Sequence, residues 1–348
     1  MVLKWASAIP RAATPDAERL RKPTQQTMKS VSVFLLAVNC IAAGELTGLL
    51  PELTQKIPPR ARQALTGSEF ARYIAAMDPH QREQAILNQI LEGNIPTFLR
   101  KLAPVELRYE PPNAKPLRAT IFVVPEYLAI GSDSDFLRIP MNLETATAVV
   151  DRLGFILPTK KMVDAIYQQS SYHFVPEPLP AGPEMRSTLY YKKHNQMIER
   201  QARSRGIPEG PLVSGDKKDV VITNLLASRP GRIAIYGWHR PTGTPIQPLS
   251  TVHGACYADY SHGIRLVSGT ALVDGKPRPV SEMLQDSLLA KVLSDEGAIH
   301  DVRDSGPRNP DELQCGLPAE SVRSRIYPLR IPGLEKLVTP YETRDSGN

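Results

Sequence analysis

The sequence predicts an α+β protein with a helical N-terminal half and an antiparallel, β-rich C-terminal half. Helix-capping residues followed by apolar residues at helical spacing cluster before about residue 215. Runs rich in β-branched residues, separated by turn signals, cluster after that point. Because helices and strands do not alternate along the chain, repeated βαβ units are not expected.

The composition is typical of a folded chain. Its 348 residues are 41% hydrophobic and 22% charged, which suits one large or two ordinary domains. The 33 prolines follow no period, so they predict long loops rather than collagen. No apolar run reaches the roughly 18 residues of a membrane span.

We divide the chain into four regions. They are a leader at 1–44, a mainly helical region at 45–215 with a small β segment at 117–140, a β-rich region at 216–302 that carries the candidate site, and an irregular tail at 303–348.

The leader predicts secretion. Met28-Lys29 precedes an apolar run from Val31 to Ala43, and small residues around Gly44 suit cleavage, so the mature chain is expected to begin near Glu45. A mitochondrial presequence is the main alternative because most of the leader's basic residues precede Met28. The other alternative is that the apolar run forms a short buried helix.

The net charge of +6 comes mostly from this leader, which holds six basic and two acidic residues. No stripe of Lys and Arg interleaved with aromatic residues follows it, so a nucleic-acid partner is not expected. A small molecule or a peptide is the expected substrate.

Five helices are predicted from their N-terminal caps. Thr66 and Asp78 begin two packed helices over 66–92. Asn142, Thr159 and Ser187 begin three more, which end near Leu153, Gln169 and Ser204.

Strands are predicted from short β-branched or apolar runs. These are Leu117–Val124, Tyr127–Ile130, Phe136–Ile139, Val220–Leu226, Arg232–Trp238 and parts of Leu249–Val267. Asp274-Gly275 predicts a hairpin turn, and Ser281 caps a last helix over Val280–Leu293. The charged run at 216–219 is expected to be a solvated turn.

The densest polar sequence is Trp238-His239-Arg240 together with residues 250–266. Histidine, cysteine, aspartate and serine beside glycines suit a catalytic or metal site. On a straight strand His253 and Asp259 would stand roughly 20 Å apart, at about 3.3 Å per residue. These polar groups can therefore meet only if the segment 253–263 bends. We expect it to bend at Gly254 and Gly263, so that His253 and His262 open into one cleft.

Part of this stretch resembles the L,D-transpeptidase motif of bacterial cell-wall enzymes. The similarity lies in His253-Gly254 and in Ser261-His262-Gly263 followed by Ile264-Arg265-Leu266. It implies that His253 is the base, that Ser261 and His262 orient, and that Arg265 holds a carboxylate. The family has its nucleophilic cysteine where Gly263 here runs directly into Ile264.

Three functional hypotheses follow. The first is a hydrolase or acyltransferase without a cofactor, whose nucleophile is Cys256, assisted by His253, His262, Asp259 and Ser261. Its substrate, peptide or cell-wall-like, would contact Arg265, Tyr257 and Trp238.

The second hypothesis is a metal-dependent hydrolase that holds zinc on His253, Asp259, His262 and His239. The third is a non-catalytic secreted binding protein with Tyr257, Tyr260 and Trp238 as its contact surface. Cys256 and Cys315 are the two cysteines after the leader, so one disulfide between them is an alternative to a free thiol.

Overall fold

The computed structural model describes residues 54–299 and Cys315. All of them belong to one compact unit, Leu46–Asn348. The predicted leader and its cleavage near Glu45 lie outside the described residues, and so does the tail from 303 onward apart from Cys315.

The helices of the described residues are α1 Gly67–Tyr73, α2 Pro79–Leu91, α3 Leu143–Leu153, α4 Lys160–Gln169, α5 Thr188–Arg205, α6 Val280–Gln285 and α7 Ala290–Leu293. The first five begin where the caps predict. The capping box of Thr66 and the side-chain caps of Asp78, Asn142, Thr159 and Ser187 are all confirmed. Each cap satisfies a backbone N–H that the first helical turn leaves unpaired.

The strands are short and numerous. They are β1 Ala103–Tyr109, β2 Leu117–Val123, β3 Ala129–Ser132, β4 Asp135–Arg138, β5 Phe155–Ile156, β6 Tyr172–His173, β7 Val213–Ser214, β8 Lys218–Val220, β9 Ile235–His239, β10 Pro245–Ser250, β11 His262–Gly263, β12 Val267–Ser268, β13 Thr270–Val273 and β14 Lys276–Pro279. Three short 3-10 helices cover Thr97–Arg100, Pro183–Arg186 and Asn224–Ser228.

The principal sheet joins distant parts of the chain. Its strand order is β14-β13-β2-β12-β5, β1 also pairs with β2, and all these pairings are antiparallel. Helices α4 and α7 pack on β1, and α3 packs against β5 and α2. The protein therefore mixes helices and sheets as predicted, but the described residues do not divide into a helical half and a sheet half.

A second sheet, of order β10-β9-β8-β11, positions the candidate site. Strands β8, β9 and β10 pair antiparallel, whereas β11 pairs parallel with β8, His262 lying opposite Lys218. The expectation of purely antiparallel pairing in the C-terminal region is therefore wrong at this edge.

Three strand and helix predictions differ from the structure. Thr223 caps a 3-10 helix with its side chain, so the predicted strand over 220–226 ends early. Most of 251–261 is turn or irregular structure rather than strand. The last predicted helix is two helices, and its cap is Pro279 rather than Ser281. The Asp274-Gly275 hairpin is confirmed.

The packing of the first two helices also differs from the prediction. Helix α1 packs on β3 and β4, whereas α2 packs on α3. Among the helices that the structure describes, none has both the length and the apolar character needed to cross a bilayer.

Candidate functional site

The polar segment 253–262 bends back on itself, as its composition predicts. The Tyr257 N–H donates to the Gly254 carbonyl at 2.9 Å, and the His262 N–H donates to the Asp259 carbonyl at 3.0 Å. The first turn is at the predicted Gly254. The second turn precedes Gly263, so the prediction of a bend at that glycine is wrong.

Gly263 is required for a different reason. It lies in β11 against the ring of Tyr127, and a Cβ built on it would stand 2.4 Å from the ring carbon Cδ1. No real side chain tolerates that distance. The glycine therefore lets β11 approach a buried aromatic ring.

Asp259 is the centre of the cluster. Its Oδ1 accepts hydrogen bonds from the Ser261 N–H at 2.8 Å and the Ser261 hydroxyl at 2.5 Å, and its Oδ2 accepts one from the Tyr257 hydroxyl at 3.1 Å. Burial raises the pKa of Asp259, but His262 and the bonds from Ser261 outweigh that effect and hold the pKa below its ordinary value. The carboxylate is therefore ionised at neutral pH.

His262 lies beside this carboxylate and is completely buried. Its Nε2 is 3.9 Å from Asp259 Oδ2, which is too long for a hydrogen bond, and neither ring nitrogen has a hydrogen-bond partner. Burial lowers the pKa of His262 to about 4, against the opposing effect of Asp259, so the ring is neutral at pH 7. Leaving a buried polar ring unpaired costs about 1–3 kcal/mol.

His253 provides the accessible part of the site. Its half-buried ring stacks on Tyr257 with centroids 4.1 Å apart and lies 6.1 Å from the ring of His262. Burial lowers its pKa, so His253 is also neutral at pH 7. The two histidines converge as predicted, but they do not open into one cleft, because His262 is buried.

The charged run 216–219 is buried against this cluster, so the expectation of a solvated turn is wrong. Asp216, Lys217 and Asp219 are each at most 3% exposed. The Lys217 ammonium donates to the Tyr260 carbonyl at 2.6 Å, and burial lowers its pKa to about 8. Lys218 lies over the Trp238 ring at 5.6 Å, and its positive charge acts on Asp259.

Sequence reasoning missed this run because four consecutive charges usually face water. The usable signal is that two aspartates flank two lysines, so that the run has no net charge, and that it leads directly into the apolar strand residue Val220. Opposite charges so close in sequence can compensate each other inside a protein, where an isolated charge could not remain.

Arg265 does not reach the candidate site. It is completely buried, its guanidinium donates to the carbonyls of Val124 at 3.1 Å and Val213 at 2.9 Å, and it lies over the Tyr127 ring at 4.3 Å. These contacts hold both terminal nitrogens of the guanidinium inside the core. The implied role of Arg265 as a carboxylate holder is therefore wrong in this structure.

The predicted aromatic contact surface is also absent from the described residues. Trp238 is 3% exposed and Tyr260 is 2% exposed, and both rings pack around the buried His194. Tyr257 alone of the three is partly exposed. Trp238 adopts a left-handed φ of 55°, an uncommon conformation for a bulky residue.

His239 belongs to a different cluster. Its Nε2 lies 3.1 Å from Asp164 Oδ1, which also accepts from the Tyr236 hydroxyl at 2.7 Å. Its ring stacks on Tyr167 with centroids 4.5 Å apart. His239 is therefore engaged elsewhere and does not complete a zinc set with the other two histidines.

Cys256 is joined to Cys315 in a disulfide. In this form it carries no thiolate, so the predicted nucleophilic role of Cys256 does not apply. Within the described part of the chain, one trio of potential ligand side chains has its donor atoms within 4.8 Å of one another, namely Glu144, Cys256 and Cys315. The two sulfurs of this trio are bonded to each other, so the trio offers no thiolate ligand to a metal.

A surface depression of about 490 Å³ includes Val252, the residue before His253. It is lined by Arg229, Arg232, Thr251 and Val252. Arg229 donates to the Thr251 hydroxyl at 2.9 Å and Arg232 to the Val252 carbonyl at 2.7 Å. The depression is therefore basic, with two exposed arginines held in place.

No family model, curated protein or solved structure matches the chain.

Proposed function

We propose that this chain is a secreted hydrolase or acyltransferase whose polar centre consists of His253, Asp259, Ser261 and His262. The observation that carries the proposal is the convergence of two neutral imidazoles on one ionised carboxylate, one of them buried with both nitrogens unpaired. Buried polar groups are usually hydrogen-bonded; the core residue His194 lacks a partner at one ring nitrogen, whereas His262 lacks partners at both.

The proposed division of labour follows exposure and charge. His253 is partly exposed and neutral, so it accepts a proton from water or from a substrate hydroxyl. Asp259 stabilises the positive charge that develops on the imidazoles. The Ser261 hydroxyl donates a hydrogen bond to Asp259, so Ser261 orients the carboxylate rather than attacking the substrate.

The substrate is proposed to be a small molecule or peptide with an anionic group. The basic depression beside His253 supports this, because its two arginines face solvent and can hold a carboxylate or phosphate. A peptide with a free carboxylate, such as a cell-wall-like fragment, meets that requirement.

Secretion is part of the proposal. Disulfides persist in oxidising compartments, so the Cys256–Cys315 bond agrees with export rather than with a reducing cytosol. Fractionation of cells that express C-terminally tagged protein tests both possibilities: tag in the medium supports secretion, and tag in the mitochondrial fraction supports the mitochondrial alternative.

The first test is His253→Ala. We expect the variant to lose at least about 100-fold in kcat, the lower end of what general base catalysis supplies. The wild-type rate should fall as the pH drops below the ordinary histidine range, because protonated His253 cannot accept a proton. Turnover is measured on a panel of chromogenic esters, amides and small peptides with free carboxylates.

His80→Ala, which removes an exposed histidine at the start of α2, is the matched control and should retain full activity. If His253→Ala is as active as wild type, the role of this residue is wrong. If wild type turns over no member of the panel, the binding-protein hypothesis takes its place.

The second test is Arg232→Ala. Loss of a partly solvated charge contact should raise KM about 10-fold for anionic substrates and leave kcat unchanged. Neutral analogues should show no difference. Arg240→Ala, an exposed arginine outside the depression, is the control. An equal KM for wild type and Arg232→Ala would rule out the depression as the anion site.

A metal-dependent hydrolase is the second candidate function. His253, Asp259 and His262 are ligand types that zinc accepts, and both nitrogens of His262 are unpartnered, but the ligand atoms of the three residues do not all lie within 4.8 Å of one another, so zinc binding would require these side chains to move together. Dialysis against EDTA should then abolish turnover, and Co²⁺ should restore it and produce visible absorption bands that His262→Ala lacks. Full activity in EDTA would exclude this candidate and leave the first proposal intact.

A further inference from the structure

The Cys256–Cys315 disulfide lies at the N-terminus of α3. The Leu143 N–H at the start of that helix donates to the Ala255 carbonyl at 3.0 Å, and the Asn142 side-chain amide contacts the Cys315 carbonyl at 3.5 Å. The two cysteines differ in access, because the Cys256 residue is exposed whereas the Cys315 residue is 6% exposed.

A buried carboxyl group accompanies the sulfurs. Glu144, in the first turn of α3, is 6% exposed, and its side-chain oxygens have no hydrogen-bond partner among the described residues. A carboxyl oxygen of Glu144 and both sulfurs lie within 4.8 Å of one another. Burial, reinforced by the neighbouring Glu83, raises the pKa of Glu144 to about 7.

Glu83 on α2 is the charged group that acts on Glu144 from the facing helix. Burial raises the pKa of Glu83 to about 7 as well, while a hydrogen bond from the Asn142 N–H and the charges of Arg82 and Arg186 oppose the rise. The Asn142 N–H is engaged with Glu83, and no hydrogen-bond donor among the described residues reaches the carboxyl oxygens of Glu144.

We propose that Cys256–Cys315 is a redox-active disulfide that exchanges with external dithiols, with Cys256 as the attacked sulfur and Glu144 as the proton donor to Cys315. The proposal rests on the unequal exposure of the two cysteines, the unpartnered Glu144 beside them and their place at a helix N-terminus. It is independent of the proposed hydrolase activity.

The reaction balances with a dithiol as reductant. One reductant thiolate attacks Cys256 Sγ, the S–S bond breaks, and its electron pair goes to Cys315 Sγ, which takes the proton of Glu144. The second reductant thiolate then attacks the reductant sulfur of the mixed disulfide and releases the Cys256 thiolate, which is protonated by water. Two protein thiols and one cyclic reductant disulfide result, and the Glu144 proton is restored from solvent.

The helix position assists the same step. The positive end of the α3 dipole favours a developing thiolate, and thiols at helix N-termini have a lowered pKa. A low leaving-group pKa speeds thiol–disulfide exchange. The exposed cysteine is therefore open to attack while the leaving sulfur is stabilised.

The test is the rate of disulfide reduction by dithiothreitol between pH 5.5 and 9, followed by alkylation and mass spectrometry and divided by the reductant thiolate concentration. For wild type the corrected rate should be highest below about pH 7, where Glu144 is protonated, and should fall above it. Glu144→Gln should be about 10-fold slower at pH 6 and independent of pH. This roughly 10-fold effect is smaller than the contribution of most general acids. The departing Cys315 thiolate is a weak base, so it leaves without much help from a proton donor.

Two variants separate this role from a structural one. Glu144→Asp keeps a carboxyl and should restore the pH dependence in part, and Glu83→Gln should move the inflection to lower pH without removing it. Melting temperatures show whether each variant folds. Reduction of Glu144→Gln at the wild-type rate, or faster at every pH, would overturn the proposal, and so would a flat wild-type profile.

Discussion

Replacing Arg138 with methionine is expected to destabilise the folded protein by about 3–5 kcal/mol, the range for removing one partner of a buried ion pair. Arg138 is 4% exposed, and its guanidinium lies 3.0 Å from Glu126, 2.6 Å from Glu199 and 3.8 Å from Asp216. Methionine conserves much of the volume but removes the guanidinium that the three carboxyl groups share.

The loss should grow with pH. Burial already raises the pKa of Asp216 to about 7, so this carboxyl holds its proton in the folded state when the unfolded chain has released it. Such a group reduces stability as pH rises from about 4 to 7, and without Arg138 the penalty increases further. Urea unfolding at pH 5 and at pH 8 measures the difference.

Arg108→Met is the matched control, because Arg108 and its partner Glu110 are both more than half exposed. Exposed pairs contribute at most about 1 kcal/mol. A loss below 1 kcal/mol for Arg138→Met, or an equal loss for both variants, would show that the buried network does not hold the fold together.

The double variant Cys256→Ser and Cys315→Ser is expected to lose about 4 kcal/mol, the chain-entropy estimate for a loop of this size. The two cysteines are separated by 59 residues, so the bond removes many conformations from the unfolded chain. Wild type reduced with a phosphine should unfold at the same urea concentration as the variant.

Single substitutions refine this result. Cys256→Ser alone should lose as much stability as the double variant, because either change breaks the bond. Stability of the double variant within 1 kcal/mol of oxidised wild type would show that the bond closes a loop whose ends are already held together in the unfolded state.

The helices could be predicted because their signals are local. A cap such as Asn142 and the apolar residues behind it lie within one or two turns, so neighbouring residues suffice to place α3. The strands could not be predicted as well. Strand β11 is two residues long and owes its existence to pairing with β8, more than forty residues earlier.

The sequence predicted which residues form the site better than it predicted the role of each residue. His253, Asp259 and His262 converge because the polar segment itself bends, and that bend follows from its composition. The exclusion of Arg265 and the burial of Lys217 depend on which distant segments pack against them, and the sequence around each residue does not identify those segments.

The similarity to the L,D-transpeptidase motif stays a hypothesis. Two of its matching positions have structural explanations, since Gly263 admits the Tyr127 ring and Arg265 binds core carbonyls. The cluster of His253, Asp259 and His262 does not need the motif's cysteine to act as an acid–base centre.

The principal sheet has a consequence for how the protein is made. Strand β2 pairs with β12 and β13, whose residues follow it by about 150 positions. At typical ribosomal speeds of about 5–20 residues per second, one edge of β2 waits on the order of ten seconds for its partners to be synthesised. An unpaired apolar strand is a template for aggregation during that interval. We therefore expect nascent chains that stop before β12 to require a chaperone.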